Sequence, residues 1–217
     1  MNIVFGSNGA LGNELFQAFL ENDKKVVGFD IQNGVNKETV VIPSLTNTIE
    51  ELKEYLKYDI ESISFCQGLM EIGSKKDILF SNYEMSRLIL ENYFTSFSKN
   101  ASFCFISSIH AIQSNEKNLD YAFSKSVLES YFKNLCIDNK FSQFSKTLIR
   151  LGAMDSKMLE ANVNNLDDMI NYLPSKSVIN PKDLSKFIYD YHTKYTKLLN
   201  CSILNIENGI SLKLSGE

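Results

Sequence analysis

"NIVFGSNGALGNELFQAFL", residues 2–20, sets three glycines, Gly6, Gly9 and Gly12, between a short apolar run and an amphipathic stretch. The apolar run is too short for a helix and reads as a strand, while the stretch after it repeats its apolar residues at helical spacing. Glycines at such a turn permit a tight bend, a close approach of backbone to a pyrophosphate, and close packing of helix on strand. The first turn of the helix adds unpaired N–H groups that suit an anion. Gly6, Ser7, Asn8, Gly9, Ala10, Leu11 and Gly12 are therefore the candidate phosphate-binding residues.

The next apolar run, "KVVGFD", ends in Asp30, followed by Ile31. A dinucleotide-binding fold places an acid at about this distance, where it accepts from the adenosine ribose hydroxyls. No Arg or Lys follows in "FDIQNG". A ribose 2′-phosphate would meet repulsion there without a cationic partner, so the expected cofactor is NAD(H) in preference to NADP(H).

Further along the chain, "TVVI", "SISFC", "SFCFISS", "KTLIRL" and "SILNI" repeat the strand signal. Helical periodicity fills the intervals at about residues 10–22, 46–57, 77–99, 120–139 and 181–199. Alternation of this kind predicts an α/β fold, a doubly wound parallel sheet of about seven strands, because each return to a parallel strand needs a crossover. No linker-like tract divides the 217 residues, so a single domain over 1–217 is expected.

A net charge of -4 offers no basic surface for a phosphate backbone, and nucleic acid is not an expected partner. No apolar run reaches bilayer length, and "MNIVFGSNGALG" enters a strand at once, so no membrane partner is expected and the expected location is cytoplasmic. Cys66, Cys104, Cys136 and Cys201 are scattered without C-x-x-C spacing; they read as buried reduced thiols, with no metal site.

"YAFSK", residues 121–125, places Tyr121 and Lys125 one helical turn apart on a shared face. Taken with the glycine turn, "FCQG" with Gln67 and Gly68, Asn82 in "DILFSNYEMS", and Ser108 in "FISSIHA", this order of motifs resembles a short-chain dehydrogenase/reductase of the compact type. Ser108 precedes Tyr121 by thirteen residues, a spacing usual for that family, with Ser107 as the neighbour that misses it. "NCSILNIENGISL" resembles the strand and tail that close many of its reductases. The chain departs from the family at Cys66 and Gln67, at Pro43 and Ser44 after the third strand, and at "LGAM", which keeps Gly152 without the usual proline.

The resemblance implies hydride transfer between a nicotinamide cofactor and a carbonyl or secondary alcohol. Tyr121 would act as acid/base, Lys125 would lower the phenol pKa and hold the nicotinamide ribose, Ser108 would bind the substrate oxygen, and Asn82 would hold a water linking Lys125 to solvent. Residues 153–180 occupy the place of the family's mobile substrate loop, and His110, Gly152 and Met154 are the candidate substrate contacts. His192 reads as structural or exposed. The implied partner is a small carbonyl or alcohol, and the apolar helices at 77–99 and 120–139 suggest a homodimer or homotetramer. Two other readings stay open: a nucleotide-sugar epimerase or dehydratase, suggested by the glycine spacing, and a dinucleotide-binding sensor or scaffold without turnover.

Overall fold

Val, Ile and Phe dominate the short runs, and each run becomes a strand: β1 (Asn2–Phe5), β2 (Val26–Asp30), β3 (Thr39–Val41), β4 (Ile60–Phe65), β5 (Phe97–Ser108), β6 (Ser145–Leu151) and β7 (Ser202–Ile206). They form one seven-stranded sheet in the order β3-β2-β1-β4-β5-β6-β7, with every pairing parallel. This is the doubly wound α/β architecture expected from the alternation. The computed structural model describes residues 1–34, 39–42, 52–57, 59–70, 74–113 and 116–214.

Helices cover both faces. On one, α1 (Ala10–Glu21) and α7 (Pro181–Asp190) bury Leu11, Leu15, Phe16, Phe19, Leu184 and Ile188 against Val4, Cys104, Ile106 and Ile149. On the other lie α2 (Lys75–Leu79), α3 (Met85–Asn92) and α4 (Leu119–Ile137), which bury Met85, Ile89, Leu128 and Phe132 against a phenylalanine-rich sheet face. On that face Phe29, Phe5, Phe65 and Phe105 are register partners on four adjacent strands. Their rings stack at centroid distances of 5.2, 5.5 and 5.0 Å.

The expected helix at 77–99 is corrected in two places. A π-helical turn over Phe80–Glu84 separates α2 from α3, and the helix ends at Asn92. A 3-10 turn over Phe94–Ser96 then leads into β5, so residues 97–99 are strand. The cause is aromatic packing. Phe94 and Phe97 both meet Phe144 edge-on, at 5.4 and 5.6 Å, which requires the chain to turn there. The helix expected at 181–199 stops at Asp190 and passes into a π-helical turn at Tyr191–Tyr195. The helix expected at 120–139 is α4. Half of the one expected at 46–57, with Pro43 and Ser44, lies outside the described residues, and residues 53–57 form turn and not helix.

Within residues 153–180, two short helices form, α5 (Lys157–Asn162) and α6 (Leu166–Tyr172), each capped by a side chain, Ser156 and Asn165. A last helix, α8 (Ile210–Leu214), follows β7. No helix among the described residues is long and apolar enough to cross a membrane. Most apolar residues of α3 and α4 belong to the core of the single chain; Leu119, Phe123 and Ile137 are the large ones left exposed on α4.

Candidate active site

The glycine turn is built from backbone. Gly6 takes φ +75°, and its amide donates to Phe29 O at 2.7 Å, tying the end of β1 to β2. A Cβ on Gly6 would meet Gln67 N at 2.7 Å, so the segment after β4 crosses directly against the turn. Ser7 is fully buried, and its hydroxyl shares a 3.0 Å hydrogen bond with that of Thr39. Helix α1 starts after Gly9 with no side-chain cap and no acidic residue in its first turn. Its leading amides are thereby left to an anion.

Asp30, at the end of β2, accepts from the amides of Asn8 at 2.8 Å and Gln32 at 3.0 Å. It closes the turn from the side, with Ile31 partly exposed beside it. Gln67 donates to Ser81 O and Ser86 Oγ, while its Oε1 is buried without a partner in the protein. Such an acceptor is costly unless something donates to it. A Cβ on Gly68 would make only ordinary contacts, 3.7 Å from both Asn82 Oδ1 and Lys125 Nζ.

Strand pleating separates the two serines that end β5. Ser107 Oγ donates to Glu129 Oε1 at 2.8 Å, within the α4 packing layer. Ser108 lies beside the Tyr121 phenol and accepts from the His110 amide at 3.2 Å. Tyr121 and Lys125 lie on the buried face of α4. Lys125 Nζ donates to Ile106 O at 2.8 Å and stands 5.7 Å from the Tyr121 ring centroid.

Burial dominates the electrostatics. It pushes the Tyr121 phenol up to about 12, against a smaller downward pull from the Ser108 hydrogen bond. It brings the Lys125 ammonium down to about 8, partly offset by the nearby Cys66. The phenol is thus not lowered by Lys125 as expected: desolvation of the phenolate dominates, and the opposing pull comes from Ser108.

Asn82 sits in the π-helical turn and is 2 % exposed. Its Oδ1 accepts from Leu69 N at 2.8 Å, and its Nδ2 donates to Leu69 O and Ser124 Oγ, each at 2.8 Å. Ser124 in turn donates to Tyr121 O at 2.7 Å. Asn82 therefore straps the segment after β4 to the first turns of α4, and the wider turn aims its side chain inward.

His110 packs edge-on against Tyr121 at 5.9 Å, and burial lowers its pKa, so the ring is neutral near pH 7. Gly152 and Met154 make their contacts elsewhere. A Cβ on Gly152 would stand 2.7 Å from Asn208 Oδ1, and Met154 bridges to Ile179. His192 joins Ser64 and Ser102 by hydrogen bonds of 2.8 and 2.7 Å at the opposite end of the sheet, a structural role. The cysteines need correction: Cys104 is buried, Cys66 and Cys136 are half-buried, and Cys201 is exposed.

Sequence reading passed over Glu129. It forms a two-pronged ion pair with Arg150, at 2.9 Å from Nε and 2.6 Å from Nη2, binding α4 to β6. The available signal was the recurrence of Tyr121, Lys125 and Glu129 at four-residue steps on one helix face.

No protein-family model matches the sequence, and no curated protein sequence matches it. Solved structures do resemble it. A short chain dehydrogenase family protein from Francisella tularensis subsp. tularensis SCHU S4 matches with TM-score 0.83 at 17% identity, over 97% of this chain and 98% of that one. 4-hydroxyisoleucine dehydrogenase complexed with NADH matches with TM-score 0.81 at 19% identity, over 97% and 98%. The 3-alpha-hydroxysteroid dehydrogenase from Pseudomonas sp. B-0831 complexed with NADH matches with TM-score 0.82 at 13% identity, over 100% and 99%. At such identities the likeness is one of fold: the chain folds as short-chain dehydrogenase/reductase structures do.

Proposed function

We propose that the chain is an oxidoreductase of the short-chain dehydrogenase type, using a nicotinamide dinucleotide, NAD(H) in preference to NADP(H), to interconvert a carbonyl and a secondary alcohol. The observation that carries this reading is the placing of Tyr121 beside Ser108, with Lys125 on the same buried helix face and its Nζ 5.7 Å from the Tyr121 ring centroid. Fold alone would not support it, because one fold hosts many functions.

The residues suit a dinucleotide. An uncapped helix start, a glycine turn that side chains could not enter, and the partnerless Gln67 Oε1 line the place where one would lie. Two structures of the same fold are described as NADH complexes. When bound, the nicotinamide supplies or accepts a hydride. As charge develops on a substrate oxygen, Tyr121 gives its phenolic proton to that oxygen and Ser108 orients it by hydrogen bonding. Lys125, charged at neutral pH, stabilises negative charge on the phenol as the proton leaves.

Asp30 supports the NAD(H) preference, since its carboxylate lies beside the turn. The homodimer or homotetramer belongs to the same proposal and rests on exposed Leu119, Phe123 and Ile137. The sensor reading draws on one feature, the same raised phenol, which without Lys125's help would release its proton poorly.

The test is to titrate the purified chain with NADH and NADPH, then follow loss of the reduced nicotinamide across a panel of ketones. NADH binding with turnover of at least one ketone supports the proposal. NADH binding without turnover across the panel would leave the sensor, and failure to bind either cofactor would end both.

A further inference from the structure

Two thiols meet at the amino-terminal end of the sheet, opposite the end that carries Ser108. Cys136 lies in the last turn of α4, half-buried against the phenylalanine-rich core. Cys201 is exposed in the turn just before β7. Its Sγ lies 3.9 Å from Cys136 O and 3.5 Å from Asn200 Oδ1, which sets this thiol against the Cys136 residue. The backbone of Cys201 is fixed, with its amide donating to Lys146 O at 2.7 Å. It takes φ +57°, a left-handed conformation that disfavours a side chain.

We propose that Cys136 and Cys201 form a reversible dithiol–disulfide site that closes by exchange with a low-molecular-weight disulfide. Cys201, the accessible thiol, reacts first: its thiolate attacks one sulfur of the small disulfide, a mixed disulfide forms, and one small thiolate leaves. Cys136, as thiolate, then attacks the Cys201 sulfur; the protein disulfide forms and a second small thiolate leaves. The two protons lost by the cysteines end on the two departing thiols, and the small disulfide is the species reduced. Burial raises the Cys136 thiol pKa to about 12, which makes this second step the slow one.

The bond would tie together the ends of a segment that holds β6, α5, α6 and α7. This covers residues 153–180, so the tether constrains the candidate substrate loop from a distance, without touching Tyr121 or Lys125. Closing a loop of this length restricts the unfolded chain and raises the thermal midpoint by about 10 °C.

The experiment incubates the full chain with oxidised glutathione and maps the peptides without reduction. Expected are the loss of two free thiols, a Cys136–Cys201 linked peptide, the rise in thermal midpoint, and reversal by dithiothreitol. Cys136→Ser should stop at the mixed disulfide on Cys201, and Cys201→Ser should remain largely unmodified; circular dichroism establishes that both variants are folded. A wild-type chain that stops at a stable mixed disulfide on Cys201, or that cross-links between two copies through Cys201, would overturn the proposal.

Discussion

A Cβ on Gly12 would stand 2.0 Å from the carbonyl oxygen of Gly6. The obstacle is backbone, so relief requires moving helix α1 away from the turn. Gly12→Ala should lower the thermal midpoint by about 5–10 °C and abolish NADH binding. Gly9 is the control. Its added Cβ would lie 3.3 Å from the same oxygen at φ -75°, so Gly9→Ala should fold normally and weaken NADH by no more than about tenfold. Thermal shift with and without NADH reads both variants. Wild-type binding by Gly12→Ala would contradict the account of the turn.

Tyr121→Phe removes the transferable proton and keeps the ring. Loss of the hydroxyl beside Ser108 should cost about 1 kcal/mol, because Ser108 still accepts from the His110 amide. NADH affinity should survive, and turnover should fall by about two orders of magnitude or more. Single-turnover kinetics with a responsive ketone measures this. Unimpaired turnover would end the proposed role of Tyr121.

Lys125 gives a pH signature. Its folded pKa lies near 8 against an ordinary 10.5, so between those values the unfolded chain holds a proton that the folded chain has released. Lys125 therefore contributes stability that rises with pH in that window, by about 2 kcal/mol from pH 8 to 9.5. The Cys66, Cys104 and Cys136 thiols, raised by burial, follow the opposite trend, so the contribution is read as the difference between wild type and Lys125→Met. Over the same range turnover should decline as the ammonium is lost. Lys125→Met should lose the rising contribution and leave a profile that falls more steeply with pH than that of the wild type. Urea denaturation at a series of pH values would show a parallel slope in both proteins if Lys125 titrates normally.

Glu129 and Arg150 are both largely covered, with side-chain exposures of 5% and 12%. Deleting one partner strands the other. Glu129→Ala should destabilise by about 3 kcal/mol, and Glu129→Gln by about 1 kcal/mol, since the amide still serves Ser107 and Arg150. Chemical denaturation decides. A Glu129→Ala loss below about 0.5 kcal/mol would remove the pair from any role in seating α4.

What could be read from the sequence was whatever repeats locally. The apolar runs from "NIVF" to "SILNI" marked all seven strands, and the first two elements with the glycines between them announced the doubly wound sheet. Ser108, Tyr121 and Lys125 could be named because their order and spacing resemble a family pattern, and the structure sets Lys125 5.7 Å from the Tyr121 ring near the end of β5. What stayed hidden depends on distant partners. The π-helical turn around Asn82 answers to Leu69 and Ser124, the early start of β5 answers to Phe144, and the raised phenol answers to burial that no local pattern reports. The Cys136–Cys201 contact joins residues 65 positions apart, which scattered cysteines in a sequence cannot announce.

The four stacked phenylalanines serve as a common datum line for the chemistry. Phe5 is the last residue before Gly6, Phe65 the last before Cys66, Phe29 the last before Asp30, and Phe105 lies three residues short of Ser108. A strand that slid along its neighbours would have to pull its ring out of the stack, so the aromatic row fixes the height at which each strand hands over to its functional residue. Alignment of the glycine turn, Asp30 and Ser108 is thus inherited from hydrocarbon packing beneath them. Substitutions at the row would misplace the polar residues above while leaving every one of them chemically intact.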